Sequence, residues 1–126
     1  MARYLILLMA LRWRCWSYLQ LAGSFIEFLP MLECLKNAYS PQDLPYHIIV
    51  PSLPGFAFSD SPPLDKDFNL YDAARIFNYL MVSLGFEEGY VAQGGDIGSK
   101  TARIMAIKYP SCKGGHLQFN TNEQKC

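Results

Sequence analysis

Several features that would assign a protein to a functional class are scarce or absent in this sequence of 126 residues. Its 11 basic residues balance its 11 acidic ones, so no net charge favours binding to nucleic acid or to an anionic membrane. The cysteines form no Cys-x-x-Cys pair, and neither of the 2 histidines lies at zinc-ligand spacing from one. We therefore expect no metal site, and we expect free buried thiols rather than disulfides. The cysteines are Cys15, Cys34, Cys112 and Cys126.

The sequence also lacks an apolar run long enough to span a bilayer. Residues 4–11 form a run of eight, whereas a spanning helix needs about 20 residues. A secretory signal would have small residues at a cleavage site soon after the run, and residues 12–16 are instead Arg-Trp-Arg-Cys-Trp. A buried strand is therefore favoured here over a cleaved signal or a membrane anchor.

What is present is an apolar chain, 51% hydrophobic, which is ample for the core of one small domain or of part of a larger one. Strand-like runs alternate with helical spacing, and this order predicts an α/β fold whose mainly parallel sheet has helices on both faces. Pro30 fits the first turn of a helix, and Gly85 fits a helix C-terminus. Residues 5–11 fit either a strand or a short helix. The predicted strands are residues 46–50, 90–93 and 116–119, and the predicted helices are residues 24–37, 70–84 and about 99–108.

A sharp turn from strand to helix is predicted at the sequence Gly-Gly-Asp-Ile-Gly. Gly94 and Gly98 lie two residues on either side of Asp96, with Gly95 between, and such small residues let the strand and helix backbones pass closely. This is the pattern of a nucleophile elbow with Asp in place of Ser. A carboxylate there can attack a saturated carbon to form an ester, and the backbone N–H of Ile97 can stabilise the oxyanion when that ester is hydrolysed.

Two alternatives concern the same residues. An Asp before a helix can be a simple N-cap in an ordinary glycine-rich turn. Residues 94–101 also approach the phosphate-binding pattern G-x-x-x-x-G-K-[ST], but Ser99 replaces its second glycine and Asp96 would repel the phosphate. Taken alone, the elbow sequence leaves the nucleophile and the capped turn both open.

Three motifs, at consistent spacing, together resemble the microsomal-type epoxide hydrolases, particularly the fungal ones. They are G-S-F-I-E-F at residues 23–28, P-S-L-P-G-F-A-F-S at residues 51–59 and Q-G-G-D-I-G-S at residues 93–99. The resemblance implies a partial α/β-hydrolase core at residues 23–120. Residues 1–22 and 121–126 are a divergent N-terminal segment and a divergent tail.

The resemblance implies hydrolysis of small apolar epoxides to vicinal diols without a cofactor. Asp96 would open the ring, two tyrosines of an inserted helical lid would hydrogen-bond the epoxide oxygen, and a histidine oriented by an acid would activate water. A cytoplasmic location is favoured, with association with the endoplasmic reticulum membrane as the alternative. The oligomeric state is left open.

The sequence departs from the family pattern in two places. The family's H-G-W-P motif, whose backbone completes the oxyanion hole, corresponds to residues 19–22, which leaves the backbone of Leu21 as the candidate. The lid, its tyrosines, the acid and the catalytic histidine are expected beyond residue 126, and we expect His47 and His116 to be structural. We therefore predict the nucleophile-bearing part of a truncated hydrolase, incomplete for turnover.

Two other functions remain as alternatives. One is a non-catalytic remnant that acts as an interaction module, because a partial sheet leaves an open edge and uncovered apolar faces. The other is a different hydrolase with an Asp nucleophile, such as a haloalkane dehalogenase.

Overall fold

A computed structural model of the chain describes residues 8–9, 15–19, 25–43, 47–95 and 97–118. From residue 15 onward the strands and helices alternate along these residues, as the sequence pattern predicts. In chain order they are β1 (Leu8–Met9), β2 (Cys15–Leu19), a 3-10 helix (Phe25–Phe28), α1 (Leu29–Ala38), β3 (Ile48–Ile49), α2 (Leu70–Ser83), β4 (Tyr90–Gly95), α3 (Ile97–Lys108) and β5 (Cys112–Gln118).

The described strands form one sheet in the order β1-β3-β2-β4-β5. The strands β3, β2, β4 and β5 run parallel to one another, and β1 runs antiparallel to β2 and β3. The prediction of an α/β fold with a mainly parallel sheet is confirmed.

The direction of the chain across the sheet reverses between β2 and β4. From β2 the chain moves outward to β3, whereas from β4 it moves outward in the other direction to β5. The right-handedness of such connections assigns α1 to one face of the sheet and α3 to the other. α2 contacts α3 directly.

Local residues set the bounds of α1 and α2. α1 begins with Pro30 in its first turn, where the missing N–H costs nothing, and it ends at Ala38, ahead of Ser40-Pro41. α2 begins at a capping box, in which Asn69 Oδ1 accepts a hydrogen bond from the N–H of Asp72 at 3.4 Å and the N–H of Asn69 donates to Asp72 Oδ2 at 3.2 Å.

The core is built mainly on one side of α2 and around β4 and α3. The 3-and-4 spacing along α2 buries its apolar side chains, and the fully buried Tyr90 of β4 donates a hydrogen bond from Oη to Oδ1 of Asn78 at 2.7 Å. This bond ties the strand that precedes the predicted elbow to α2. The buried residues of α2 are Ala73, Ala74, Phe77 and Met81.

Several strand predictions differ from the structure. Residues 15–19 carry no strand prediction and yet form β2, between β3 and β4. β5 begins at Cys112, four residues before the predicted start, because β4 supplies backbone partners even for Gly114 and Gly115. His47 falls within the strand predicted at residues 46–50, but it is exposed and precedes β3.

None of the helices in the described ranges combines the length and hydropathy of a membrane-spanning segment.

Candidate nucleophile elbow

The link between β4 and α3 is one residue long. β4 ends at Gly95 and α3 begins at Ile97, so Asp96 alone connects them; Asp96 itself lies outside the described residues. Gly94, Gly95 and Gly98 are buried around this link. A buried strand that passes into a helix through a single residue is the backbone path that a nucleophile elbow requires.

The link lies at the edge of the sheet where the parallel strands end. Gly94 pairs with Leu19 of β2 on one side and with Leu117 of β5 on the other. The strand order reverses between β2 and β4, and open α/β sheets bind their ligands at such a point, beyond the carboxyl ends of the strands. Asp96 therefore follows β4 at the edge where a ligand is expected.

Small residues let α3 start close to the sheet. Gly98, Ser99, Thr101 and Ala102 are all buried in the first part of the helix. The first N–H groups of a helix have no carbonyl partner within the helix, so the backbone N–H of Ile97 faces the region before the helix start. Leu21, the other candidate for an oxyanion donor, lies outside the described residues, two positions after β2 ends.

Two of the resemblance motifs meet at the same edge of the sheet. The rings of Phe25, in the 3-10 helix after β2, and Phe58, in the loop after β3, lie 5.9 Å apart between centroids. The loop is closed by its own hydrogen bonds, one from Ser59 Oγ to the carbonyl of Ser52 at 3.0 Å. The 3-10 helix that carries Phe25 and the loop that carries Phe58, distant in sequence, are therefore neighbours in the fold.

A groove of about 840 Å³ lies between this loop and α2, and we call it the loop–helix groove. Its lining comes from residues 51–68 and from the exposed side of α2, and it includes none of the elbow glycines.

Neither histidine is level with Gly95, the last residue of β4. The sheet register aligns Ile48 with Trp16 and Cys15 with Tyr90, so His47 is level with Tyr90, six residues before Asp96. At the rise of a strand this is about 20 Å. The ring of His47 instead packs against Phe86, at 5.5 Å between centroids. His116 pairs with Gln93, two residues before the end of β4 at Gly95.

The cysteines show one difference from expectation. Cys34 and Cys112 are free thiols, and Cys112 is buried, but Cys34 is exposed on α1. In the part of the chain that the structure describes, no three potential metal-ligating side chains come together.

Comparison with known proteins assigns this architecture to a family. Residues 21–120 match the family model described as alpha/beta hydrolase fold. A candidate epoxide hydrolase of Dothistroma septosporum is 56% identical over 97 residues, which are 77% of this chain and 23% of that protein. Epoxide hydrolase 1 of Sus scrofa is 44% identical over 99 residues, 75% of this chain and 21% of that protein.

A solved structure shares the fold as well as the sequence. The structure of Aspergillus niger epoxide hydrolase superposes with a TM-score of 0.73 at 50% identity, covering 77% of this chain and 25% of that one. The resemblance to epoxide hydrolases is confirmed, and the chain spans about a quarter of the length of these relatives. The chain belongs to the α/β-hydrolase fold family.

Proposed function

We propose that this chain carries the nucleophile of an epoxide hydrolase, with Asp96 as the attacking carboxylate. The observation that carries the proposal is the position of Asp96 as the single residue between β4 and α3, at the edge where the strand order reverses. Relatives named as epoxide hydrolases favour an epoxide over an alkyl halide as the electrophile.

The proposed reaction has two steps. A carboxylate oxygen of Asp96 attacks an epoxide carbon, the ring C–O bond breaks, and the released oxygen takes a proton from an acid, which leaves a hydroxyalkyl ester. Water, with its proton removed by a base, then attacks the ester carbonyl. The ester C–O bond breaks, the released alkoxide takes the carboxyl proton and leaves as the diol, and the carboxylate of Asp96 is restored. The proton held by the base replaces the one that the acid gave up in the first step.

Backbone groups around the elbow have distinct roles in this proposal. The N–H groups of Ile97 and Leu21 stabilise the oxyanion during ester hydrolysis. The glycines Gly94, Gly95 and Gly98 give the strand and helix the close approach that the turn needs. The positive end of α3 favours the ionised form of Asp96.

The base for the second step is expected from polypeptide outside the described residues. His47 is level with the start of β4, at the end of the strand away from Asp96. Removal of a catalytic base commonly costs several orders of magnitude in rate. The isolated chain is therefore expected to stop at, or before, the ester.

Mass spectrometry of the pure chain after incubation with styrene oxide, a small apolar epoxide, tests this function. We expect no multiple-turnover release of diol, and a covalent adduct on the peptide that contains Asp96. Asp96→Asn should lose the adduct, whereas Asp43→Asn, at an exposed carboxylate in a turn, should keep it.

Two results would count against the proposal. Adducts spread over surface carboxylates but absent from Asp96 would exclude it as the nucleophile. Diol release over many turnovers by the 126-residue chain would show that the base is already present.

A further inference from the structure

We propose that Phe58 is a positioning residue for hydrolysis of the ester on Asp96. It acts by fixing Phe25, and with it the segment that carries the backbone N–H of Leu21. The inference rests on the proposed function, which assigns Asp96 and the N–H of Leu21 their roles. It gives the contact between the rings of Phe25 and Phe58 a role that the two steps of the reaction do not by themselves assign.

The ring of Phe58 is too exposed to be held in place by burial. It is 83% exposed, whereas its partner Phe25 is half-buried. The centroids of the two rings lie 5.9 Å apart and the planes are tilted by 44°, within the range at which aromatic side chains attract each other. The position of the Phe58 ring therefore depends on its backbone and on this contact.

The backbone beside Phe58 is strained. In the part of the chain that the structure describes, Ala57 is the one residue other than glycine with a positive φ, at +52°. It is the second residue of a turn in which the N–H of Ser59 donates to the carbonyl of Phe56 at 3.0 Å. Glycine or asparagine usually occupies such a position, because a Cβ makes the left-handed conformation costly. Strain of this kind persists where the surrounding structure fixes it, and it concentrates at functional sites.

Hydrogen bonds anchor this turn to the core. The N–H of Phe56 donates to the carbonyl of Leu53 at 2.9 Å, and Leu53 is buried. The N–H of Gly55 donates to the carbonyl of Asp60 at 2.9 Å, which closes the loop on the other side of Phe58. The exposed ring of Phe58 is therefore carried by a loop whose backbone is fixed on both sides of it.

Phe25 is one of two fixed points that flank Leu21. On the N-terminal side, Leu19 ends β2 and pairs with Gly94 of β4. On the C-terminal side, Phe25 begins the 3-10 helix. Residues 20–24 alone join these points, so both anchors determine where a donor between them lies. Precision matters there, because a displacement of about 1 Å can cost about two orders of magnitude in rate.

The role is specific to the second step of the reaction. In ester formation the negative charge moves from Asp96 to the epoxide oxygen, whereas in ester hydrolysis it develops on the carbonyl oxygen of Asp96, where the N–H of Leu21 would act. Loss of the ring contact should therefore slow cleavage of the ester and leave its formation unchanged. A merely structural role for Phe58 would slow both steps together.

Hydroxylamine allows the cleavage step to be measured in this chain, because it attacks esters without a catalytic base. The chain is treated with styrene oxide, excess epoxide is removed by gel filtration, and hydroxylamine is added. Its nitrogen bonds to the ester carbonyl, the ester C–O bond breaks, and the alkoxide takes the proton that the nitrogen loses and leaves as the diol. A hydroxamate remains at Asp96, and mass spectrometry gives the rates of ester formation and of ester cleavage separately.

Phe58→Leu removes the ring and should slow cleavage at least about fivefold, while formation changes less than about twofold. Phe58→Tyr keeps the ring and should restore the wild-type rate of cleavage. Phe68→Leu is the matched control, with the same substitution at another exposed ring of the loop–helix groove, and should leave both rates unchanged. In urea-unfolded protein the ester should be cleaved at one rate in every chain.

The order of the Leu21 backbone gives a second readout that does not depend on Asp96. Nuclear magnetic resonance of the chain labelled with isotopic leucine measures the order parameter of the Leu21 N–H, and Leu21→Met identifies its signal. We expect a value near about 0.85 in the wild type and in Phe68→Leu, and below about 0.6 in Phe58→Leu. Urea unfolding of Phe58→Leu should match that of the wild type, since the ring is 83% exposed.

Equal order of Leu21 in the wild type and Phe58→Leu would overturn the proposal. Cleavage that is not slowed in Phe58→Leu, or is slowed only as much as formation, would overturn it too. Absence of an adduct on Asp96 in the wild type would instead reject the proposed function. The order parameter of Leu21 would then decide by itself whether the ring contact fixes this segment.

Discussion

Burial gives two cysteines of this chain different chemistry. Cys34 is exposed on α1, whereas Cys112 is 5% exposed at the start of β5. Loss of hydration raises the pKa of the Cys112 thiol from 9.0 to about 11, although hydrogen bonds with the backbone of Gly114 and Ala92 act in the opposite direction. Cys112 is therefore a core residue, unreactive at neutral pH.

This raised pKa predicts a loss of stability at high pH. The unfolded Cys112 thiol ionises near pH 9.0 and the folded one near pH 11. The un-ionised thiol therefore makes its full contribution to the free energy of unfolding below pH 9.0, and this contribution is lost as the pH rises towards 11. Two pH units correspond to up to about 3 kcal/mol in the free energy of unfolding. Urea unfolding measures the difference in free energy of unfolding between the wild type and each variant. Between pH 8 and 10.5 this difference should shrink for Cys112→Ala and stay constant for Cys34→Ala. Parallel pH curves for the wild type and Cys112→Ala would contradict the assignment.

At the scale of elements, α2 carries its own start and stop signals. Asn69 and Asp72 form the capping box at its start. At its end the N–H of Phe86 donates to the carbonyl of Met81, and the N–H of Gly85 donates to that of Val82. Gly85 has a φ of +89°, which side chains other than hydrogen rarely allow.

Gly85→Ala is therefore expected to destabilise the protein by about 1–2 kcal/mol, because the added Cβ strains the left-handed backbone although it meets no neighbour. Gly114→Ala is the matched control, since an added Cβ also meets open space there and the backbone is not left-handed. Chemical unfolding should place the control within about 0.5 kcal/mol of the wild type. Equal losses for the two variants would show that φ is not the cause.

At the scale of the whole molecule, the core depends on a few large buried side chains while many others are exposed. Met81 and Met105 are fully buried, near the C-terminal ends of α2 and α3. By contrast, Ile107, two residues after Met105, is 76% exposed on the same helix. The side of α3 that carries Met105 therefore contributes to the free energy of unfolding, and the side that carries Ile107 contributes little.

Met105→Ala should lower the free energy of unfolding by about 2–5 kcal/mol, through lost burial and the cavity left behind. Ile107→Ala should change it by less than about 0.5 kcal/mol, since alanine also favours helix. Urea unfolding followed by circular dichroism measures both. A comparable loss for Ile107→Ala would mean that its side chain is buried in solution, as in an association of copies.

Some features of the candidate site depend on residues that are neighbours in the sequence, and others depend on residues that are far apart in it. The turn from β4 into α3 was predictable because Gly94, Gly95 and Gly98 lie close together in sequence and small residues let a strand and a helix pass closely. Two things were not predictable from local pattern: the reversal of strand order beside β4, and the contact of Phe25 with Phe58. Both depend on segments that are far apart in the chain.

The sequence by itself determined α2, the position of Pro30 in α1 and a turn from strand to helix around Gly94–Gly98, because helix spacing, caps and glycine requirements involve neighbours in the chain. Only the tertiary structure decided that residues 15–19 form β2, that β5 starts at Cys112, and that His47 is exposed. The physical reason is that a strand obtains its hydrogen bonds from another segment, so a glycine-containing stretch becomes a strand when β4 lies beside it. A helix closes its hydrogen bonds within itself and can be recognised before its partners are known.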